Sequence, residues 1–471
     1  LYYSLFLAYR SNHVFKILTT ASDKLNIEAY VVGGFVRDIL LNRSSKDIDI
    51  VCVGSGIALA KEVSKQLTNS DFAIFKNYGT AQIKYLDIKI EFVGARKESY
   101  NWNSRNPEIK NGTFEEDIKR RDFTINTLAV CINKSNFGKL INLFDGLTDL
   151  EKCIIRTPLN PSITFSDDPL RMLRAIRFAS QLGFFIETKT FEAIKNNCNR
   201  ITIISKERVV SELNKIILSP RPSIGFNLLE KTGLLHLIFP ELIALKGKEI
   251  KEDISHKDIF KHTLIVIDNL SKTSNKLWLR WAALFHDIGK SITKRFDYKS
   301  GWTFYGHEYK GAEMLKKIFV RTHMPLNDKF QYTKKMISLH MRPIVLSNNE
   351  VTDSAIRRLL FDAGNDIDDL MLLCEADITS KNLEKVKQFS YNFKLVRNKL
   401  ESIEKNDKIK KFQPPINGLE IMKMFSLPAC KQIGKLKSAV KEAILDGVIS
   451  NDYEAARNYL ISLAKQKEFF E

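Results

Sequence analysis

The sequence predicts an α+β protein: a head with a small mixed sheet, then a long all-helical remainder. Three observations carry this. Short β-branched runs (Val31-Val32, Ile48-Ile50-Val51, Ile88-Ile90) alternate with helical patterns in the first third of the chain. Later apolar positions, such as Val209, Leu213 and Ile216-Ile217, fall at helical spacing. At 471 residues the chain exceeds one ordinary core, so several domains are expected. Their expected bounds are 1–150 (head), 151–250 (helical neck and body), 251–400 (a helical metal-binding domain) and 401–471 (a helical tail).

Totals narrow the class. No run reaches the ~18 apolar residues of a membrane span. The opening residues 1–10 lack a basic start and a small-residue cleavage site, which argues against a secretory leader. They begin on Leu rather than Met, so the true start is expected elsewhere or is non-standard. Net charge is +18, which points to a polyanionic partner, nucleic acid ahead of membrane. A generally Lys-rich composition is the competing explanation. The six cysteines are scattered with no CxxC, as expected in a reducing cytoplasm.

In chain order, a helix ending near Leu25 leads into a strand at Val31-Val32. Gly33-Gly34 follows, then a short helix with Arg37 and Asp38 on its polar side, then Asp47-Ile48-Asp49-Ile50-Val51. Alternation along a strand sends Asp47 and Asp49 one way and the isoleucines into a core. Neighbouring carboxylates want a cation, and an all-oxygen site with substrate phosphates suits Mg²⁺. Gly33-Gly34 permits close backbone approach to a phosphate at a helix start. A helix over 56–68 and strands over 72–75, 80–85 and 88–93 complete the head. Glu91 points away from Ile88, Ile90 and Phe92, and is the candidate third carboxylate. Residues 96–117 read as a long irregular loop, a length usually tied to function.

Two arginine-rich motifs come next. In Arg120-Arg121-Asp122-Phe123-Thr124-Ile125-Asn126, one helical turn would place Asp122 and Asn126 on one face. Arginines hold phosphate oxygens, while an acid and an amide read ribose hydroxyls. Asp145-Gly146 reads as a turn closing the head, with 150–156 as a linker. In Asp167-Asp168-Pro169-Leu170-Arg171, followed by Arg174 and Arg177, Asp168 and Arg171 share a helix face. A carboxylate and a guanidinium complement the amino donor and ring acceptor that cytosine and adenine share, and that uracil and guanine reverse. A helix capped by Ser205 and ended by Pro220 carries Glu207, Arg208 and Glu212, read as structural ion-pairing residues.

These stretches together resemble the class II tRNA nucleotidyltransferase and bacterial poly(A) polymerase family, within the DNA polymerase beta superfamily. The resemblance implies a two-metal head on Asp47, Asp49 and Glu91. It implies nucleotide contacts from Gly33, Gly34, Arg37, Arg121, Asp122, Asn126, Asp168, Arg171, Arg174 and Arg177, with Mg²⁺ as cofactor. CTP and ATP would be the substrates and the tRNA acceptor arm the partner. The 120–126 string favours tRNA nucleotidyltransferase over poly(A) polymerase.

From His256 the character changes. His262, His286-Asp287, His307, His340 and Asp377 follow at wide intervals. Imidazole with carboxylate suits Mn²⁺, Fe, Ni²⁺ or Zn²⁺. The order resembles the HD phosphohydrolase family, whose ligands run His, His-Asp, Asp. That resemblance implies His262, His286, Asp287 and Asp377 as ligands, with His307 and His340 added in binuclear members. His256 is expected beside the site but not among its ligands, and His13, His236 and His323 read as ordinary residues. Residues from Pro414 resemble the terminal segment of bacterial tRNA nucleotidyltransferases. An alternative of another class stays open: a hydrolytic HD enzyme whose head only docks RNA.

Overall fold

The computed structural model of the protein describes residues 6, 8–76, 79–99, 108–252, 254–348, 352–380, 382–407, 409 and 413–465. Two compact units divide the chain, Leu1–Ile238 and Phe239–Glu471.

The first unit opens on helix α1 (His13–Lys24), started by Asn12, whose side chain accepts from the Val14 amide. Strand β1 (Ala29–Val32) runs into helix α2 (Gly34–Leu40), and strand β2 (Asp47–Cys52) returns beside it. Helix α3 (Gly56–Ser64) then packs on the sheet built by β3 (Asp71–Phe75), β4 (Thr80–Tyr85) and β5 (Ile88–Gly94). Strands β6 (Arg96–Ser99) and β7 (Glu108–Asn111) pair antiparallel as a separate ribbon. The main sheet is completed by β8 (Ala129–Cys131) and β9 (Leu140–Ile141), in the order β3-β4-β5-β2-β1-β8-β9. β2 and β5 are parallel while the other pairs are antiparallel, hence a mixed sheet.

Alternation on β2 is as the sequence implies. Ile48 and Ile50 are buried and Asp47 is exposed on the other face. The register sets Asp49 level with Glu91 on β5 and with Val32 on β1, so both carboxylates lie at the strand end where β1 enters the Gly33 turn.

Three expectations need correction. Of the stretch expected as an irregular loop, residues 100–107 lie outside the described residues; those flanking them pair as β6 and β7, and Thr113 starts helix α4 (Phe114–Lys119) with a reciprocal capping box. Lys97 and Lys110 oppose one another without apolar alternation, which hid the ribbon. The turn at Asp145-Gly146 does not close onto a linker. Asp145, left-handed at φ 54°, starts helix α5 (Gly146–Glu151). Asp122 and Asn126 do meet, but over a tight 3₁₀ turn rather than an α-helix.

Beyond the sheet, β10 (Ile154–Ile155) precedes helices α6 (Pro161–Asp167) and α7 (Leu170–Leu182). Gly183, at φ 74°, ends α7, and β11 (Phe185–Ile186) pairs in parallel with β10. Helices α8 (Thr188–Asn197), α9 (Lys206–Ile217), α10 (Pro222–Lys231) and α11 (Leu234–Ile238) finish the unit. α9 buries the expected stripe of Val209, Leu213, Ile216 and Ile217.

The second unit is helical apart from two short ribbons, β12 (Ile250–Lys251) with β13 (Ile254–Ser255) and β14 (Arg295–Asp297) with β15 (Gly301–Thr303). Its helices are α12 (Pro240–Ile243), α13 (Ile259–Ser271), α14 (Leu277–Phe285), α15 (Lys290–Thr293), α16 (His307–Thr322), α17 (Asp328–Leu339), α18 (Met341–Asn348), α19 (Asp353–Ala363) and α20 (Ile367–Ala376). The long α21 (Leu383–Asp407) leads to α22 (Gly418–Phe425), α23 (Lys431–Leu445) and α24 (Tyr453–Lys465). One hydrophobic cluster runs from Val266 and Leu279 through Leu370 and Phe393 to Leu436 and Leu460, so the terminal helices share the core of the others. Among the described residues no helix is long and apolar enough to cross a membrane.

Candidate active site and metal centre

β1 stops at Val32 because Gly33 turns the chain with φ 73° and ψ −130°, a conformation that side chains disfavour. A Cβ there would meet Arg121 Nη1 at 3.1 Å and lie 3.8 Å from Asp49 Oδ2. The glycine thus makes room for a cation and a carboxylate together. Around this turn a cleft of about 390 Å³ is lined by Asp47 and Asp49 of β2, Glu91 of β5, Arg121 and Asp122, and by Arg174 and Arg177 of α7, among others.

The cleft has an acidic and a basic wall. On the acidic side, burial raises the pKa of the Asp49 carboxyl. Arg121 opposes this, and the charges of Glu91 and Asp47 push it further up. Glu91 is held by Lys89 Nζ at 2.6 Å. Carboxylates gathered on one face fit a divalent ion, whose charge would reverse their repulsion.

On the basic side a bonded chain crosses the cleft. Arg37 Nη1 donates to Asn126 Oδ1 at 2.7 Å, and Asn126 Nδ2 donates to Asp122 Oδ1 at 2.9 Å. Arg174 then donates to Asp122 Oδ2 from Nε and Nη2, at 2.7 and 2.5 Å. Burial works against the Asp122 carboxylate, but Arg174 and the hydrogen bond from Asn126 overcome it and hold its pKa far below the ordinary range. Asp117, fully buried, accepts from Arg120 at 2.5 Å and from Arg121 at 3.3 Å, which aims that pair.

Every head residue singled out in the sequence lies in this unit, but not all line the cleft. Gly33, Gly34, Arg37, Asp47, Asp49, Glu91, Arg121, Asp122, Asn126, Arg174 and Arg177 do; Asp168 and Arg171 do not. Asp168 ends α6 in an extended conformation, so it does not share a helix face with Arg171 as expected, and its side chain accepts from the Leu170 amide at the entry to α7. Arg171 stands one turn before Arg174 on α7. The ion-pairing reading of α9 fits the contacts: Glu212 meets Arg177 at 3.3 Å and Lys215 at 3.0 Å, and Arg208 meets Asp168 at 4.0 Å. Lys89 and Phe178 also line the cleft and were not singled out. Phe178 falls four residues after Arg174, the helical spacing that would have flagged it.

The second unit gathers its histidines around one carboxylate. His286 lies just past the end of α14 and Asp287 is the next residue, which lets neighbours converge where a helix would part them. Asp287 Oδ2 lies 3.6 Å from His262 Nε2 and 3.4 Å from His286 Nε2. Its Oδ1 lies 3.3 Å from His307 Nε2 and 3.9 Å from His340 Nε2. Asp377 Oδ1 closes the first group, 2.8 Å from His262 Nε2 and 3.5 Å from His286 Nε2. Asp287 therefore stands between two triads, His262-His286-Asp287 and Asp287-His307-His340.

Ring orientation fits metal binding. Nδ1 of His286, His307 and His340 bonds the carbonyls of Ala283, Phe304 and Ile337 at 2.8, 2.9 and 2.7 Å. A carbonyl can only accept, so each Nδ1 carries a proton and each Nε2 faces inward. His262 Nδ1 bonds Thr379 Oγ1 at 2.9 Å. His286 Nε2 is buried without a hydrogen-bond partner. Burial disfavours its charged form, yet Asp287 and Asp377 raise its pKa to about 10. Burial and the neighbouring His286 lower His340 to about 3. Lys290 Nζ donates to Asp287 Oδ2 at 2.7 Å and was not singled out, although it sits at i+3. His256 stays outside the cluster, bonding Lys257 O at 2.8 Å.

Comparison with known proteins follows the same division. Residues 29–156 match the poly A polymerase head domain, 183–245 the probable RNA and SrmB-binding site of polymerase A, and 259–382 the HD domain. The multifunctional CCA protein of Shewanella frigidimarina is 31% identical over 368 residues, covering 75% of this chain and 84% of that protein. The CC-adding tRNA nucleotidyltransferase of Thermus thermophilus is 28% identical over 453 residues, covering 92% of this chain and 93% of that one. The A-adding tRNA nucleotidyltransferase of Aquifex aeolicus is 41% identical over 173 residues, 37% of this chain and 21% of that one. In fold, the chain matches the CCA-adding enzyme of Bacillus stearothermophilus in complex with CTP (TM-score 0.69, 20% identity, 97% of this chain and 99% of that one).

Proposed function

This chain belongs to the family of HD-domain CCA-adding tRNA nucleotidyltransferases, and from that premise we propose that it completes tRNA 3′ ends with CCA, drawing on CTP and ATP without a nucleic-acid template. The observation that carries the reading is the register of Asp49 with Glu91 beside the Gly33 turn, in a cleft that four arginines also line.

The reaction joins the tRNA 3′-oxygen to the nucleotide α-phosphorus and breaks the bond from that phosphorus to pyrophosphate. Asp47 and Asp49 would hold divalent ions, which supply activation of the 3′-hydroxyl and neutralisation of the triphosphate; we assign them as Mg²⁺. Glu91 adds negative charge to that wall. Arg37, Arg121, Arg174 and Arg177 take up phosphate charge, with Gly33 and Gly34 admitting the chain of phosphates close to the backbone. Asp122 and Asn126, joined in one hydrogen-bonded unit, face the ribose. Asp168 and Arg171 choose the base, since an acceptor beside a donor suits cytosine and adenine and misfits uracil and guanine. The excess of basic residues supports binding of the acceptor arm by shape and phosphates.

The Asp287-centred cluster favours a second activity in the same chain, metal-dependent phosphoester hydrolysis. Two triads sharing a carboxylate suit a pair of transition-metal ions (Mn²⁺, Fe, Ni²⁺ or Zn²⁺). Lys290 and the histidine ring orientations keep that carboxylate and its partners in place.

Asp47→Asn/Asp49→Asn tests the assignment. Nucleotide incorporation onto tRNA should vanish while metal binding at the histidine cluster persists. Incorporation that survives the double substitution would move the activity away from the head.

A further inference from the structure

Three arginines reach the cleft from two helices, and all three meet one ring. The guanidinium carbon of Arg177 lies 4.2 Å from the Phe178 centroid, that of Arg37 4.9 Å and that of Arg174 5.6 Å. Phe178 is buried and fixed edge-on by Phe123, with centroids 5.8 Å apart and planes at 84°.

Three like charges this close repel, and their anionic partners offset this unequally. Arg174 has Asp122. Arg37 donates from Nε to Asp38 at 2.9 Å and from Nη1 to Asn126. Arg177 has only a 3.3 Å ion pair with Glu212 among its described carboxylate contacts. Its Nε and Glu212 Oε2 are both buried without a hydrogen-bond partner. Burial pulls the Arg177 pKa down to about 10, with Glu212 opposing and Arg174 and Arg37 adding to the fall. A group that all three cations share is the negative face of the aromatic ring, an attraction that strengthens away from water.

We propose that Phe178 is a positioning residue for nucleotide addition: its ring holds Arg37, Arg174 and Arg177 as one cationic cradle and thereby sets the affinity of the cleft for the triphosphate. The inference rests on the reading of the cleft as the triphosphate site. An aliphatic side chain of similar volume would fill the space but would not gather the charges.

Fluorinated phenylalanines separate these roles. 4-Fluoro-, 3,5-difluoro- and 3,4,5-trifluorophenylalanine, placed at position 178 of the full chain, keep ring shape while draining its face of negative charge. The dissociation constant for CTP, measured by calorimetry, should rise stepwise to roughly tenfold across the series, as expected for a desolvated cation–ring contact. KM for CTP should rise with it and kcat should move less. A flat dissociation constant across the series, with Phe178→Leu changing only the melting temperature, would overturn the proposal and leave Phe178 as packing. If the trifluoro variant does not fold, the slope over the other two members decides in the same way. Failure of the unsubstituted chain to extend tRNA would sink the functional reading alone, because CTP binding still reports on the ring. Absence of CTP binding by the unsubstituted chain would overturn both.

Discussion

Asp122 and Arg174 are bonded to each other across 52 residues of sequence, with Arg174 donating twice to one carboxylate oxygen. Each was read from sequence as a nucleotide contact, and the structure makes them one unit spanning the sheet domain and α7. Asp122→Asn should therefore lower the melting temperature as well as raise KM for both nucleotides. The pH dependence has a definite sign. The folded-state pKa of Asp122 is depressed, so its stabilisation is present above the unfolded value of about 3.9 and fades as pH falls below it. The gap in melting temperature between the natural chain and Asp122→Asn should be widest near neutrality and shrink below about pH 4. A constant gap would mean the charge is not what stabilises.

Asp49 runs the other way. Its pKa is raised, so ionised Asp49 is a liability in the metal-free fold. In chelator at pH 7, Asp49→Asn should melt at or above the natural chain while nucleotide incorporation is lost. A lower melting temperature would mean the carboxylate supports the fold.

Much of this site was legible because its chemistry is local in sequence. Asp47 and Asp49 sit on one strand, and Gly33 on the turn beside it. Alternation put Glu91 on the face opposite Ile88, Ile90 and Phe92, but the parallel pairing of β2 with β5, which brings it level with Asp49, joins strands some forty residues apart and carries no local signal. The arginine cradle was not legible, since Arg37 comes from α2 and its ring partner Phe178 lies far along the chain on α7. The ribbon of β6 and β7 escaped for want of apolar alternation. In the second unit, the order of His262, His286-Asp287 and Asp377 pointed to the cluster through its resemblance to the HD family, but Thr379, which orients His262 from 117 residues away, carries no local signal.

Gly33→Ala should cost about 1–3 kcal/mol, the scale of a side chain forced into a glycine conformation. The added methyl would also press on Arg121. Denaturant unfolding measures the first effect. Partial recovery of nucleotide binding in Gly33→Ala/Arg121→Lys would report the second, while full stability in Gly33→Ala would contradict both.

Metal uptake by the histidine cluster should release protons. Without metal, the two carboxylates keep His286 protonated well above neutrality, with a pKa of about 10. A ligating ring must shed that proton, so binding at pH 7.5 should release about one proton per cluster. Calorimetry in two buffers of different ionisation enthalpy reads this directly, and Asp287→Asn should abolish both the uptake and the release. Uptake with no proton release would contradict the protonated state of His286.

The most direct test of the central claim is extension of a tRNA ending just before its CCA, with CTP and ATP supplied singly and together. Growth by two cytidines and one adenosine, then arrest, is the expected result, and it should be lost in Asp47→Asn/Asp49→Asn. Long adenosine runs, or no extension in the natural chain, would contradict it.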